Sequence, residues 1–460
     1  MFISLTTFTA EIQKKFEILV PKGSFRHRIA RGAFWTLAAS GFGQSLTFLA
    51  FLAVARILGQ KTFGEWGAVQ TTLGLFGVLA GLGLPLTTTK FIAEYRATDS
   101  ARCARIYSLL SAVTIVSGAL ISLAFASTAC WISNSVMHNS HLEGPLRLAS
   151  VLLLLYAIDS NQIAALGGFE AFRGTALVSL VKGSVTFPVL LIGAWGWQLE
   201  GAICGSIISS VLGLSLNHLT LRRVAIKSGV DLRSSIPLTE AWRERRMLFD
   251  FSLPALLQGS VQAPAEWACS MLLVALPGGY EQMGIYTAAN RLQKLVTFAL
   301  APVGSIALPL LSNLTAKGDI LRYRKFFRGH IILNAGLSSL CAIAFTIGSP
   351  WIMMSFGSEY RDGWPVLALL AVSNVFTMTA TTLGFVMQSW GHMWTAFAVN
   401  FIRALSLTIA FWMLQNMGAV GWGVATVMAA AIQFLAVWVY YISVIKNAFL
   451  AAGSMGETAI

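Results

Sequence analysis

The chain has 460 residues, 56% of them hydrophobic and only 11% charged, with a net charge of +13 and a mean hydropathy of +0.70. A soluble domain carries about 25% charged residues, so that class is excluded, and no stretch is left over for a separate soluble domain. Most of the basic residues stand in connections between apolar runs, as membrane topology requires, so nucleic acid is not an expected partner.

Residues 1–31 open with a mildly apolar, Thr-rich stretch and then turn basic through Lys14, Lys15, Lys22, Arg26, Arg28 and Arg31. A signal peptide has a short apolar core after its basic start, then a small-residue cleavage site. Here the basic cluster directly precedes a full-length apolar run, so the segment reads as an uncleaved cytoplasmic arm lying on the membrane surface. From Gly32 the chain runs GAFWTLAASGFGQSLTFLAFLAVARIL, GQKTFGE, WGAVQTTLGLFGVLAGLGLPLTTT: two apolar segments around a short polar turn. Each exceeds the roughly 20 residues a helix needs to cross a bilayer.

Further spans are predicted over about 106–130, 146–166, 172–196 and 199–221, which completes a six-helix bundle over 32–221. Residues 222–247, RRVAIKSGVDLRSSIPLTEAWRERRM, form the longest hydrophilic connection and read as a basic cytoplasmic linker. A second bundle is predicted over 248–446. It opens with FDFSLPALLQGSVQAPAEWACSMLLVAL and GIYTAANRLQKLVTFALAPVGSIALPLLSNL and ends in four more spans; 447–460 reads as a cytoplasmic tail. The architecture expected is therefore all-α and polytopic, with about 12 transmembrane helices. Lys and Arg set the orientation. With both termini inside, Arg56, Lys61, Arg147 and Arg361 fall outside, and the basic arm and loops fall inside.

The two bundles repeat. Gly64-Glu65-Trp66-Gly67-Ala68 corresponds to Gly284-Ile285-Tyr286-Thr287-Ala288, and Lys182 to Arg403, at a spacing of about 220 residues. Six spans per unit is an even number, so both copies share one orientation and their pseudo-twofold axis runs along the membrane normal. Parallel repeats of this kind are a transporter architecture, with the substrate site between the units.

Ionisable side chains within spans cost about 2.5–3.5 kcal/mol each at a helix centre, so they face a cavity or a partner. The deep ones are Asp159, Lys182, Glu266, Arg291, Lys294 and Arg403; Arg56 lies nearer the outer rim. Arg291 and Lys294 are three apart on one helix face. The guanidinium fork suits pyrophosphate and stays charged when buried, which makes Arg56, Arg291, Lys294 and Arg403 the candidate substrate-binding residues. Glu266 and Asp159 are candidates for ion coupling. The competing reading pairs Asp159 with Lys182 and Glu266 with Lys294 as plain neutralisation. Pro254 and Pro264 should kink the helix that carries Glu266. The five cysteines and six histidines are dispersed without metal-ligand spacing, so no metal, cofactor or disulfide framework is expected.

AVARILGQKTFGEWGAVQT resembles the first-hairpin signature of bacterial polysaccharide flippases, and LPLTTTKFIAEY, FSLPALLQG, GIYTAANRL, PLLSNL and FGSEYRDGWPVLALL resemble their later elements in order and spacing. Trp66 stands where that family often has Tyr. The resemblance covers roughly residues 28–445. It implies the fold of the multidrug/oligosaccharidyl-lipid/polysaccharide (MOP) exporters. It also implies flipping of undecaprenyl-pyrophosphate-linked oligosaccharide across the bacterial inner membrane. Lipid-linked oligosaccharide and membrane lipids are then the expected partners, with a polysaccharide polymerase as a further candidate. Arg56 and Arg291 stand within the matching motifs. A cation-coupled multidrug exporter of the same superfamily would want an acidic cavity, whereas cations outnumber carboxylates here. A membrane polymerase or ligase would want a large outer loop, which the chain lacks.

Overall fold

The computed structural model of the chain describes residues 25–232, 238–316, 320–389 and 393–446. Most of the expected arm and the tail lie outside them. The first helix begins at Phe25, earlier than the Gly32 start expected from hydropathy.

Helix α1 (Phe25–Gly81) has 57 residues. As a straight rod it would be roughly 85 Å long, far more than a bilayer's thickness. It turns at Gly59, whose φ of 73° and ψ of 170° interrupt the helix. A Cβ disfavours that conformation, so glycine serves the turn. The two limbs fold back on each other. The rings of Phe51 and Trp66, fifteen positions apart, lie 5.0 Å centre to centre. Leu82 and Gly83, both at positive φ, break the second limb before α2 (Leu84–Tyr95), which has Pro85 in its first turn.

Helices α3 (Ser100–Trp131) and α4 (Glu143–Gly168) are single rods. The former starts on Asp99, whose carboxylate accepts the Arg102 backbone N–H as an N-cap. Helix α5 (Phe172–Lys227) is again double, turning at Trp197 and Gln198. Gly193 and Gly201 meet backbone to backbone beside that turn, where any side chain would collide. A short α6 (Leu238–Ala241) lies in the connection to the second half.

There α7 (Leu253–Gly259) and α8 (Gln262–Val274) form one broken rod. Pro264 lacks an N–H and its ring clashes with the carbonyl four residues back, at Ser260, where the break falls. Helices α9 (Gly279–Ala316), α10 (Ile320–Met354), α11 (Trp364–Ser389), α12 (Met393–Leu414) and α13 (Gly418–Tyr440) follow. Counting each limb of α1 and α5 separately, joining α2 to the second limb of α1 and α7 to α8, and setting aside the four-residue α6, the described residues form twelve rods in a polytopic all-α membrane protein. Trp131, Trp195, Trp197, Trp351, Trp364 and Trp412 project outward around the Gly59 end, as an aromatic belt does at a bilayer surface.

The halves pack alike. The α3–α4 and α4–α5 contacts of the first recur as α10–α11 and α11–α13 in the second. Between halves the seam is α1 against α8 and α9. A Cβ on Gly64 would strike the Tyr280 carbonyl, and one on Gly284 would strike the Gln60 carbonyl. Residues 60 and 280, like 64 and 284, are repeat counterparts. Each member of one pair therefore touches the counterpart of its own neighbour. Such reciprocal contact is the mark of a twofold relation, and it places the pseudo-axis at this crossing.

Candidate functional site

The first half neutralises its deep charges. Lys182, on the first limb of α5, places Nζ 2.9 Å from Oδ2 of Asp159 on α4. Asn217, on the second limb, donates from Nδ2 to Oδ1 of the same carboxylate at 2.8 Å. Asp159 is only 7% exposed. Both of its oxygens are satisfied, as a buried carboxylate requires.

The second half does not. Arg291 and Lys294 stand on α9, Arg403 on α12 and Glu266 on α8. Lys294 lies in the electrostatic field of Arg291 and Glu266, and Arg403 in that of Glu266 and Tyr286. Among the described residues none of these four closes an ion pair within 4.0 Å. Lys294 and Arg403 share one carboxylate, Glu266, and Arg291 adjoins Lys294. Arg291 reaches across the seam, its guanidinium carbon 3.9 Å from the centre of the Phe51 ring on α1, with Tyr156 of α4 beside it. A cation over an aromatic face recovers about 0.5–2 kcal/mol, against about 2.5–3.5 kcal/mol for a cation at a helix centre. The ring does not compensate the charge, and an anion would. Behind this group Tyr286 stacks on Trp422, 3.6 Å between centroids and 6° from parallel, which fixes the face of α9.

Two cavities adjoin it, and Tyr156 lines both. One of about 470 Å³ lies between α1, α4 and α7. Its wall is apolar or glycine, from Leu73 to Leu86 and at Ala255 and Leu256, and only Gln70, Tyr156 and Ser160 are polar. The other, about 310 Å³, lies inside the first half between α1, α4 and both limbs of α5. Residues of both halves wall the first cavity, at α1 and α7, whereas the second is walled by the first half alone, and α4 contributes to each.

Beyond the crossing, the Gly59 end is closed. Arg56 donates from Nε to the Ser355 carbonyl at 2.7 Å, and the Gln60 N–H reaches Oε2 of Glu359 at 3.3 Å. From the other half, Tyr280 donates its hydroxyl to the Met137 carbonyl at 2.9 Å. Each half thus grips the turn between the third and fourth rods of its counterpart. Buried Glu65 accepts from Asn139 at this end. Lower on the same seam the Thr71 hydroxyl donates to Ser270 at 2.9 Å, and Trp267 donates its ring N–H to Thr72 at 3.3 Å.

The structure brings Arg291, Lys294, Arg403 and Glu266 together. It places Asp159 in a separate ion pair, and Arg56 at the closed end, away from the cation group. Sequence reading missed Phe51, Tyr156 and Asn217. Asn217 carried a signal, an amide within an apolar span; Phe51 carried none among 29 phenylalanines. Among the described residues no group of three His, Cys, Asp or Glu could hold a metal ion.

Residues 29–315 match the family described as "Polysaccharide biosynthesis protein". The chain is 25% identical over 417 residues to the EPS I polysaccharide export inner membrane protein EpsE of Ralstonia nicotianae, covering 87% of this chain and 92% of that protein. It is 25% identical over 441 residues to the lipid III flippase of Escherichia coli (strain K12), covering 92% and 98%. Among solved structures it resembles the inward-facing conformation of a multidrug resistance MATE family transporter of the MOP superfamily. That match has a TM-score of 0.68 and 14% identity, over 89% of this chain and 96% of the other.

Proposed function

This chain belongs to the polysaccharide biosynthesis protein family, and on that premise we propose that it flips a polyprenyl-pyrophosphate-linked oligosaccharide across the bacterial inner membrane. The fold alone does not choose between a glycolipid and a drug, since a multidrug transporter shares it. The observation that carries the choice is the surplus of Arg291, Lys294 and Arg403 over Glu266 in the second half, with Arg291 reaching the seam. An organic cation would be repelled there. A pyrophosphate, with its multiple negative charges, replaces the water such cations would otherwise hold, and the arginine forks match its oxygens in pairs.

In this reading the head group enters from the basic end, which we take as cytoplasmic with both termini on that side, and meets the cations below the closed Gly59 end. Rocking of residues 32–221 against 248–446 about the Gly64–Gly284 crossing then opens the far side. Arg56 meets the head group only once that end has opened. Glu266 offsets part of the cation charge, and it is the carboxylate placed to exchange a proton or cation when the pyrophosphate leaves. The chain carries the glycan intact, as a transporter and not an enzyme. A polymerase acting on the delivered glycan is a candidate partner.

The test is replacement of Arg291 or Arg403 by Ala in cells lacking the native copy. Surface glycan should fall and the lipid-linked precursor accumulate on the cytoplasmic leaflet, with protein level unchanged. Normal export by both variants would end the proposal.

A further inference from the structure

We propose that the cavity inside the first half is a sugar subsite, which receives the carrier-proximal part of the glycan while the pyrophosphate rests on the cations of the second half. This deepens the flippase reading and rests on it. Three observations carry it.

The first is position. Phe51 lines this cavity and also lies under the Arg291 guanidinium, so the cavity opens beside the phosphate-binding group. A sugar joined to a pyrophosphate is held within one bond of it, and of the two cavities that Tyr156 lines this is the one with the more polar wall.

The second is chemistry. The wall sets hydroxyls and amides, among them Gln44, Thr47, Ser206, Ser209, Ser210 and Asn217, between apolar Ile163, Val178 and Leu190. Its ionic groups cancel, because Lys182 is tied to Asp159. A neutral, hydroxyl-rich ligand suits such a wall, whereas an ion does not. Tyr156 and Phe51 add aromatic faces at the mouth, against which the C–H face of a sugar ring packs. The neighbouring cavity, apolar and glycine-lined, is the wrong chemistry for sugar and the right one for the first isoprene units of the carrier. Tyr156 divides the two.

The third is unfinished hydrogen bonding. Ser209 and Asn217 are 3% and 2% exposed, and both line the cavity. The Ser209 hydroxyl and Oδ1 of Asn217 have no hydrogen-bond partner among the described residues. Asn217 is held in place by the hydrogen bond its amide nitrogen donates to Asp159, and its oxygen keeps unused acceptor capacity just beneath the wall. Buried polar groups are nearly always paired. The Asp159–Lys182–Asn217 group therefore does more than neutralise charge: it holds an amide side chain with spare acceptor capacity at the cavity. Water fills such a space when no sugar is present.

The experiment uses the full-length purified protein in detergent and two probes: bare polyprenyl pyrophosphate, and the same carrier bearing its oligosaccharide. The wild type should bind the glycosylated probe more tightly. Ser209→Leu, which fills the cavity, should abolish that preference and leave affinity for the bare carrier unchanged. Ser209→Ala, which removes one hydroxyl and adds no bulk, should reduce the preference by about three- to tenfold. Arg291→Ala should weaken both probes together. A wild type without preference, a Ser209→Leu protein that keeps it, or an equal loss for both probes would overturn the sugar subsite. Unchanged binding of both probes by Arg291→Ala would instead overturn the flippase reading on which it rests.

Discussion

The two halves share a plan but not a charge economy. At counterpart positions Lys182 sits in a closed group with Asp159 and Asn217, whereas Arg403 has no carboxylate on its neighbouring rods α11 and α13 that repeats this pairing. Thr71 and Gly74 stand in the first half where the second has Arg291 and Lys294. The repeat thus supplied the scaffold, and substitution on one copy made an electropositive wall facing a neutral, hydroxylated one. A substrate with a charged end and a neutral end can use both walls at once, which identical halves could not offer.

The largest expected effect attacks the closed half. Asp159→Ala leaves half-buried Lys182 and buried Asn217 without their carboxylate; breaking a fully buried pair costs about 3–5 kcal/mol, and the part-exposed lysine puts this loss towards or below the lower end of that range. Membrane-extracted protein should lose thermal stability and its level should drop. Asp159→Asn with Lys182→Met removes both charges and should restore the level. Glycan export by that double variant discriminates the two readings of Asp159. Restored export marks the pair as structural, whereas a stable but inactive protein marks Asp159 as part of ion coupling.

The open half should answer differently. Arg291→Ala removes a cation that no carboxylate balances, so stability should hold or rise while transport falls. Hydrogen bonds to charged groups are worth about 1.5–3 kcal/mol, or roughly 10- to 150-fold. Arg291→Lys should recover part of that, because it keeps the charge and loses the fork. Equal stability losses at Asp159 and Arg291 would erase the contrast between halves.

Where the halves are alike, paired substitutions should behave alike. Gly64→Ala and Gly284→Ala each drive a methyl into a backbone carbonyl of the other half. Overpacking of this kind costs about 1–3 kcal/mol. Both should loosen the Gly59 end to a similar extent, read as labelling of a cysteine placed in the seam by a membrane-impermeant thiol reagent. A large response at one glycine and none at the other would refute the twofold crossing.

Much of this was legible in the residues. Twelve apolar runs, the repeat and the kink before Pro264 follow from period, spacing and the missing N–H. The pairing of Asp159 with Lys182 was one of two readings, because antiparallel neighbours of equal depth put them near each other. The cavities were not legible. Which side of α4 carries Tyr156 towards both depends on how three other rods pack. The span count says nothing of that, nor of Phe51 lying beneath Arg291. Arg56 shows the limit best: as a residue it is indistinguishable from Arg291, and only the fold separates them.

That separation yields the smallest expected effect. The Arg56 side chain is exposed and, among the described residues, makes one hydrogen bond, to the Ser355 carbonyl across the closed end. Its counterpart position is Leu276, so this latch has no twin at that site. A single hydrogen bond at an exposed site contributes about 0.5–1.5 kcal/mol, and Gln60, Tyr280 and the glycine crossing still hold the closure. Arg56→Ala should therefore lower glycan export by less than about tenfold, and by clearly less than Arg291→Ala in the same strain. Arg56→Gln, which keeps a donor, should fall between Ala and wild type. If Arg56→Ala instead matched the loss at Arg291, the guanidinium would be holding the head group as firmly as Arg291 does, and not only meeting it after the end has opened. The electropositive path would then extend from the second half across the seam into the first.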